Sequence, residues 1–170
     1  MKQVGIIVLL VLFAGQWWIP GKLIYDRENT LRHGKVLRFK TEPVDPVDIF
    51  RGRYVDLAFE NTMVRVPSGQ VWKRNEKVYA IVREHFDGYA RIVNISRSRP
   101  ASGLYFETKI ENMQRLDNQL HVYVQIPFNR YYADEFIAPE IEKKFEDRDI
   151  EAWAKVRLLH GLAVLEELFI

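Results

Sequence analysis

The sequence predicts a mainly β chain with a small α+β character: an N-terminal transmembrane helix followed by an antiparallel β-sandwich or partly open barrel. Three observations predict it. Val4 to Ile19 is apolar except for Gln16. Beyond it, short runs alternate apolar and polar residues, the period of a half-buried strand. Between those runs stand turn residues, among them Asp87-Gly88 and His160-Gly161.

The apolar run comes first. Val4–Ile19 would span about 24 Å as a helix at ~1.5 Å per residue, short for a hydrocarbon core of ~30 Å. Lys2 and Lys22 flank it and can snorkel, and Trp17 and Trp18 stand at one end, where an interfacial aromatic belt belongs. A cleavage site needs small residues at −3 and −1. Cutting after Ala14 puts Leu12 at −3, and cutting after Gly15 puts Phe13 there. Residues 1–22 are therefore expected to remain as an anchor, with residues 23–170 forming one soluble β-rich domain. Lys2 favours an inside N-terminus, whereas Lys22, Arg27, Arg32, Lys35, Arg38 and Lys40 weigh against translocation of the domain. The expected place is a single-pass position in a bacterial inner membrane, with the domain outside the cytoplasm.

Residues 21–33 carry alternating charge and read as a short helix continuing from the anchor. Lys35–Lys40 alternates, with Val36, Leu37 and Phe39 apolar. Glu42-Pro43-Val44-Asp45-Pro46 cannot continue a ladder, since two prolines remove donors. Arg53–Glu60 alternates again through Tyr54, Leu57 and Phe59. Val78–His85 and Tyr89–Ile95 flank Phe86-Asp87-Gly88, the strongest hairpin signal in the chain. Arg97–Gly103 reads as a polar loop. Leu104–Ile110 and Leu120–Ile126 read as strands joined near Asp117-Asn118, with Leu120, Val122, Val124 and Ile126 on one face. Asp134–Glu146 reads as a short helix or an extended charged segment, broken at Pro139. Trp153–Leu159 and Leu162–Phe169 close the chain around His160-Gly161, and the last run fits a helix as well as a strand. About six to eight short strands separated by turns favour a sandwich or barrel.

Composition narrows the chemistry. The 170 residues carry a net charge of +2, too balanced for a nucleic-acid partner whose phosphates must be neutralised. Without cysteine there are no disulfides, thiol nucleophiles or cysteine-based zinc sites. His33, His85, His121 and His160 form no metal-ligand spacing. Ser68, Ser96, Ser98 and Ser102 lie in neither G-x-S-x-G nor S-x-x-K. A type I signal peptidase needs a serine just past the anchor, and residues 20–45 contain none. There is no P-loop and no GxGxxG, and no cofactor or metal is expected.

Two blocks remain. In the first, Gly52-Arg53-Tyr54-Val55-Asp56-Leu57-Ala58-Phe59 comes after a proline- and aspartate-rich stretch. It is similar to the signature of the bacterial GDYXXLXY family: Gly52, Tyr54 and Leu57 match, Arg53 replaces the aspartate and Phe59 the final tyrosine. The second block, Phe128-Asn129-Arg130-Tyr131-Tyr132-Ala133-Asp134-Glu135, resembles the family's arginine–aromatic–aromatic segment, with Asp134 where proline is usual. The resemblance spans nearly the whole chain. It implies a membrane-anchored envelope protein and no particular activity, and hints at a multi-span membrane protein as partner.

Arg51, Gly52, Tyr54 and Leu57 from the first block, with Arg130, Tyr131, Tyr132 and Glu135 from the second, form the candidate binding residues. Arg130 offers a five-donor fork and Glu135 a carboxylate. One reading makes them a shared cleft, which requires the blocks to meet. The plainer reading is that the glycine makes a turn, the tyrosines pack and Arg130–Glu135 is an internal ion pair. The first expectation is thus a non-enzymatic accessory or binding subunit, held by the lipid bilayer beside an integral membrane partner. The alternatives are an envelope hydrolase using carboxylates such as Asp48, Asp134 and Glu135, and an anion sensor using Arg51 and Arg130.

Overall fold

The computed structural model describes residues 2–42, 55–60, 62–67, 69–116, 119–131 and 152–169; the side chains of 2–11, 14, 55 and 56 are outside that description. One helix, α1 (Lys2–His33), runs unbroken through Pro20 and past the expected boundary at residue 22. Proline costs the helix the amide that would bond Gln16, and the helix continues on its other bonds. Its last turns are reinforced by neighbours one turn apart: Lys22 with Asp26, Arg32 with Glu28, and His33 with Asn29. Arg32 and His33 lie in the final turn, where positive charge suits the helix dipole. The helix stops at Gly34, whose amide bonds the Thr30 carbonyl at 2.8 Å. A Cβ on Gly34 would collide with that oxygen and lie 3.1 Å from the Leu158 nitrogen. Among the described residues no helix is long and apolar enough to cross a membrane. The expected span at 1–22 therefore gains nothing from them; residues 2–11, whose side chains are outside the description, carry half of the apolar run.

The other described elements are antiparallel β structure. One sheet has the order β11-β10-β1-β3, from β1 (Lys35–Glu42), β3 (Ala58–Phe59), β10 (Trp153–Leu159) and β11 (Leu162–Phe169). Alternation sends Leu37, Phe39 and Thr41 of β1 and Ala154, Val156 and Leu158 of β10 inward. The β10–β11 turn uses His160 at φ 50° and Gly161 at φ 94°. Two successive left-handed residues make the tight hairpin turn that matches strand twist. The final run is thus a strand and not a helix, because this turn lays it back on β10.

A second sheet has the order β4-β8-β7-β5-β6: β4 (Met63–Val66), β5 (Lys77–Glu84), β6 (Ala90–Ser96), β7 (Leu104–Leu116) and β8 (Gln119–Val124). Its two edge strands, β4 and β6, lie against each other, so the sheet is nearly closed and barrel-like. The Asp87-Gly88 turn forms as the sequence predicts, with Gly88 at φ 81° and the Tyr89 amide on Asp87 Oδ1 at 3.0 Å. Strand β7 runs to Leu116 rather than ending near Ile110, because β8 pairs along its whole extension. Met63–Val66 carries neither a turn signal nor an alternation long enough to mark it; pairing with β8 makes it a strand.

Between the sheets, the run expected as one strand over Arg53–Glu60 divides at Leu57. Val55–Asp56 (β2) pairs with Arg130–Tyr131 (β9), whereas Ala58–Phe59 pairs with β1. The chain changes partner there, as at the corner of a folded sheet. The two large sheets are also stitched by a parallel bridge from Phe106 to Gly161, with the Glu107 amide on the Gly161 carbonyl at 2.8 Å. At the centre Phe128 meets three rings, Phe39 at 5.2 Å, Phe59 at 5.3 Å and Phe106 at 5.5 Å. These centroid separations are those of favourable aromatic pairs.

Candidate functional site

The two sequence blocks meet. Val55 opposes Tyr131 and Asp56 opposes Arg130, and the Leu57 amide bonds the Asn129 carbonyl at 2.7 Å. Each residue then goes its own way. Leu57 is buried in the core. Tyr131 is half-buried and packs against the core from its edge. Arg130 is exposed. Arg51, Gly52, Tyr54, Tyr132 and Glu135 lie outside the described residues, as do the carboxylates Asp45, Asp48, Asp134, Glu140 and Glu142.

Arg130 opens onto a cleft of about 530 Å³ between α1, the β8–β9 connection and β11, whose polar lining includes Arg27, Gln125, Asn129, Arg130, Tyr131 and Glu166. The elements explain the lining. Ile126 and Phe128 are buried beneath this connection, which leaves Gln125 exposed and Asn129 half-buried at the cleft. Arg27 projects from α1 three residues before the buried Thr30, which anchors the helix to the domain.

Glu166 is already engaged. Arg157 binds both its oxygens, the Nη2–Oε1 bond at 3.2 Å, and Lys155 Nζ lies 3.1 Å from Oε1. These bonds, Arg157's first, hold the Glu166 carboxyl below its ordinary pKa, and Glu166 in turn raises that of Arg157. Arg157 also reaches the Gly34 carbonyl at 3.4 Å, tying the network to the end of α1. Among the described residues of the lining, Glu166 is thus neutralised from β10, and the arginines Arg27 and Arg130 come from α1 and β9.

A second cleft of about 540 Å³ flanks α1, with Asp26, Asn29, Arg99, Glu107 and His160 in its lining. Pro127 and Ala163 line both clefts. Its arginine is committed internally: Arg99 Nε donates to the Tyr105 hydroxyl at 2.7 Å and Nη2 to the His160 carbonyl at 3.4 Å. The Tyr105 bond is what raises the Arg99 pKa. Arg97 is spent likewise, stacked 4.0 Å over Trp72 and bonded to Glu76 and the Val71 carbonyl. This basic loop is part of the scaffold. Among the described residues no group of three or more His, Cys, Asp or Glu is placed to hold a metal ion.

The model of one family, described as GDYXXLXY protein, matches residues 16–168, most of the chain and both sequence blocks. The chain belongs to the GDYXXLXY family. No curated protein and no solved structure matches it. For this GDYXXLXY protein the motif leucine, Leu57, is a core residue at the point where the chain changes sheets, and the position of the final motif tyrosine, Phe59, is also buried. Arg27, Gln125, Asn129 and Glu166 join Arg130 and Tyr131 at the cleft without any sequence signal that groups them. Arg27 stands in the charged stretch after the apolar run, and Glu166 in a final strand with no motif.

Proposed function

We propose that this GDYXXLXY protein is a single-pass membrane protein whose extracytoplasmic β domain works as a non-enzymatic binding or accessory subunit beside an integral membrane partner. One observation carries the reading. Every described side chain of α1 from Leu12 to Tyr25 is exposed, including Leu12, Phe13, Trp17, Trp18, Ile19, Leu23, Ile24 and Tyr25. A mostly apolar stretch of helix whose described side chains all stand exposed suits a lipid environment. Val4–Val11, apolar but for Gly5, extends the run toward the N-terminus.

A partner reading rests on the same surface. Helices associate in lipid through packing that an apolar helix of this kind can supply. Among the described motif residues, Leu57 and Phe59 are spent on packing and Val55–Asp56 and Arg130–Tyr131 on strand pairing, which suits a positioning role better than a reaction.

The test is crosslinking of the tagged full-length protein in native membranes, followed by purification and identification of the proteins that come with it. Extraction should require detergent rather than alkaline carbonate, and a multi-span membrane protein should co-purify in stoichiometric amount. Release by carbonate would end the anchor reading. A detergent-requiring protein that emerges alone at every crosslinker length would end the accessory reading.

A further inference from the structure

We infer that α1 and the β domain form one rigid lever, so that a tilt or rotation of the helix in the bilayer is carried into the sheet of β10 and β11. Three features support it. First, no linker separates the two parts. Helix α1 ends at His33, and Lys35 is already paired with Leu158 in the sheet. The residues around the join, Thr30-Leu31-Arg32-His33-Gly34-Lys35, hold neither the glycine–serine run nor the prolines of a tether. Second, the helix end is built into the sheet. It packs on β10 and β11, and Thr30 is 2% exposed there. The Thr30 hydroxyl donates to the Asp26 carbonyl at 2.8 Å, so the buried group is satisfied without help from the domain. A Cβ built on Gly34 would stand 3.1 Å from the Leu158 nitrogen and 3.2 Å from Arg157 Cβ, which puts the helix end in direct contact with β10. Third, Arg157 clamps the join. Its Nη1 donates to the Gly34 carbonyl at 3.4 Å, while Nε and Nη2 hold Glu166 of β11 at 2.5 and 3.2 Å. A guanidinium fixed by two bonds to one carboxylate has little freedom to follow a swinging helix.

What the lever moves depends on the anchored reading of α1. Thr30 stands twelve residues beyond Trp18, about 18 Å along the helix at ~1.5 Å per residue. Membrane helices tilt over a range of about 0–40°. With a rigid join, a tilt change of ~20° swings the Thr30 contact by about 6 Å, and the whole domain turns through the same angle. A flexible join would absorb that change and leave the domain where it was. Both clefts lie against α1, so they turn with it. An integral membrane partner that shifts the helix thereby reorients the surface the domain presents.

The chain has no cysteine, so introduced cysteines carry spin labels at chosen places. Pulsed electron–electron double resonance then gives distance distributions in the full-length protein, first in neutral detergent, where no bilayer is needed. Leu23→Cys on α1 is paired with Val93→Cys on β6, both exposed positions. Val93→Cys with the exposed Glu111→Cys on β7 gives the width of a pair within the domain and reports whether each variant is folded. The two widths should agree. Inserting Gly-Ser-Gly-Ser after Gly34 should broaden the Leu23–Val93 distribution about twofold or more and leave the domain pair unchanged, with Arg157→Gln intermediate. The insertion keeps the test readable should Arg157→Gln fold poorly. In nanodiscs of shorter and longer phosphatidylcholine, which change helix tilt, the Leu23–Val93 peak should stay in place. A distribution already as broad as that of the insertion variant, an insertion without effect, or a peak that moves with lipid length overturns the lever. Narrow widths in a protein that carbonate releases would sink the anchor and leave the rigid join standing. Broad widths in a protein that requires detergent would do the reverse.

Discussion

Phe128 is the residue on which both sheets and the cleft converge, and Phe128→Ala tests that convergence. Its side chain is 4% exposed and touches Phe39, Phe59 and Phe106, which belong to β1, β3 and β7. Truncating a buried phenylalanine to alanine costs about 3–5 kcal/mol through lost transfer energy and the cavity left behind. Each favourable ring pair adds about 0.5–1.5 kcal/mol beyond area, and three are lost together. The expected loss is therefore in the upper half of that range, about 4–5 kcal/mol. For a domain of this size that corresponds to a fall in Tm of about 8–20 °C. Urea unfolding of the full-length protein in neutral detergent, followed by the β-sheet circular dichroism signal, measures it. The urea slope should be unchanged, since the folded state keeps its extent. The double variant with Phe59→Leu should lose less than the sum of the single losses, by about 0.5–1.5 kcal/mol. A loss below about 1.5 kcal/mol at constant slope would refute the claim that this ring unites the sheets. It would also remove the support assigned to residues 125–129 at the cleft.

Gly34→Ala should destabilise by about 1–3 kcal/mol as an overpacked site, because the new methyl meets the Thr30 carbonyl and lies 3.2 Å from Arg157 Cβ. An unchanged urea midpoint would mean that the end of α1 moves freely on the domain. Glu166 carries a pH dependence: its folded pKa lies below the ordinary 4.5, so its stabilising effect is complete above that value and disappears as pH falls through the folded pKa. Glu166→Gln should flatten that part of the acid-unfolding curve, and a slope identical to wild type would show that the Arg157–Glu166 pair contributes nothing.

Local chemistry made several elements legible. Asp87-Gly88 and His160-Gly161 each supply a glycine at positive φ, so both hairpins arise from backbone preference alone. Alternation along β8 identified its inward face, with Val122 and Val124 buried, because period two leaves one choice of inward side once a core exists. Met63–Val66 and the outer half of β7 carry no such mark. Their strand state comes from pairing with β8, which no local pattern encodes. The same holds at Leu57, where an unbroken alternation conceals a change of partner strand.

The site divides along the same line. The sequence by itself determined that Leu57, Arg130 and Tyr131 belong to two family blocks, that the chain begins in an apolar helix, and that no cysteine chemistry is available. Only the tertiary structure decided that the blocks pair as β2 and β9, that Arg27 is carried to the cleft by α1, and that Arg157 and Lys155 occupy Glu166. The reason is separation along the chain: Arg27, Arg130 and Glu166 share no local periodicity. Their proximity comes from burying Thr30 beneath the helix and Phe128 beneath the cleft, contacts that form only when the whole core closes.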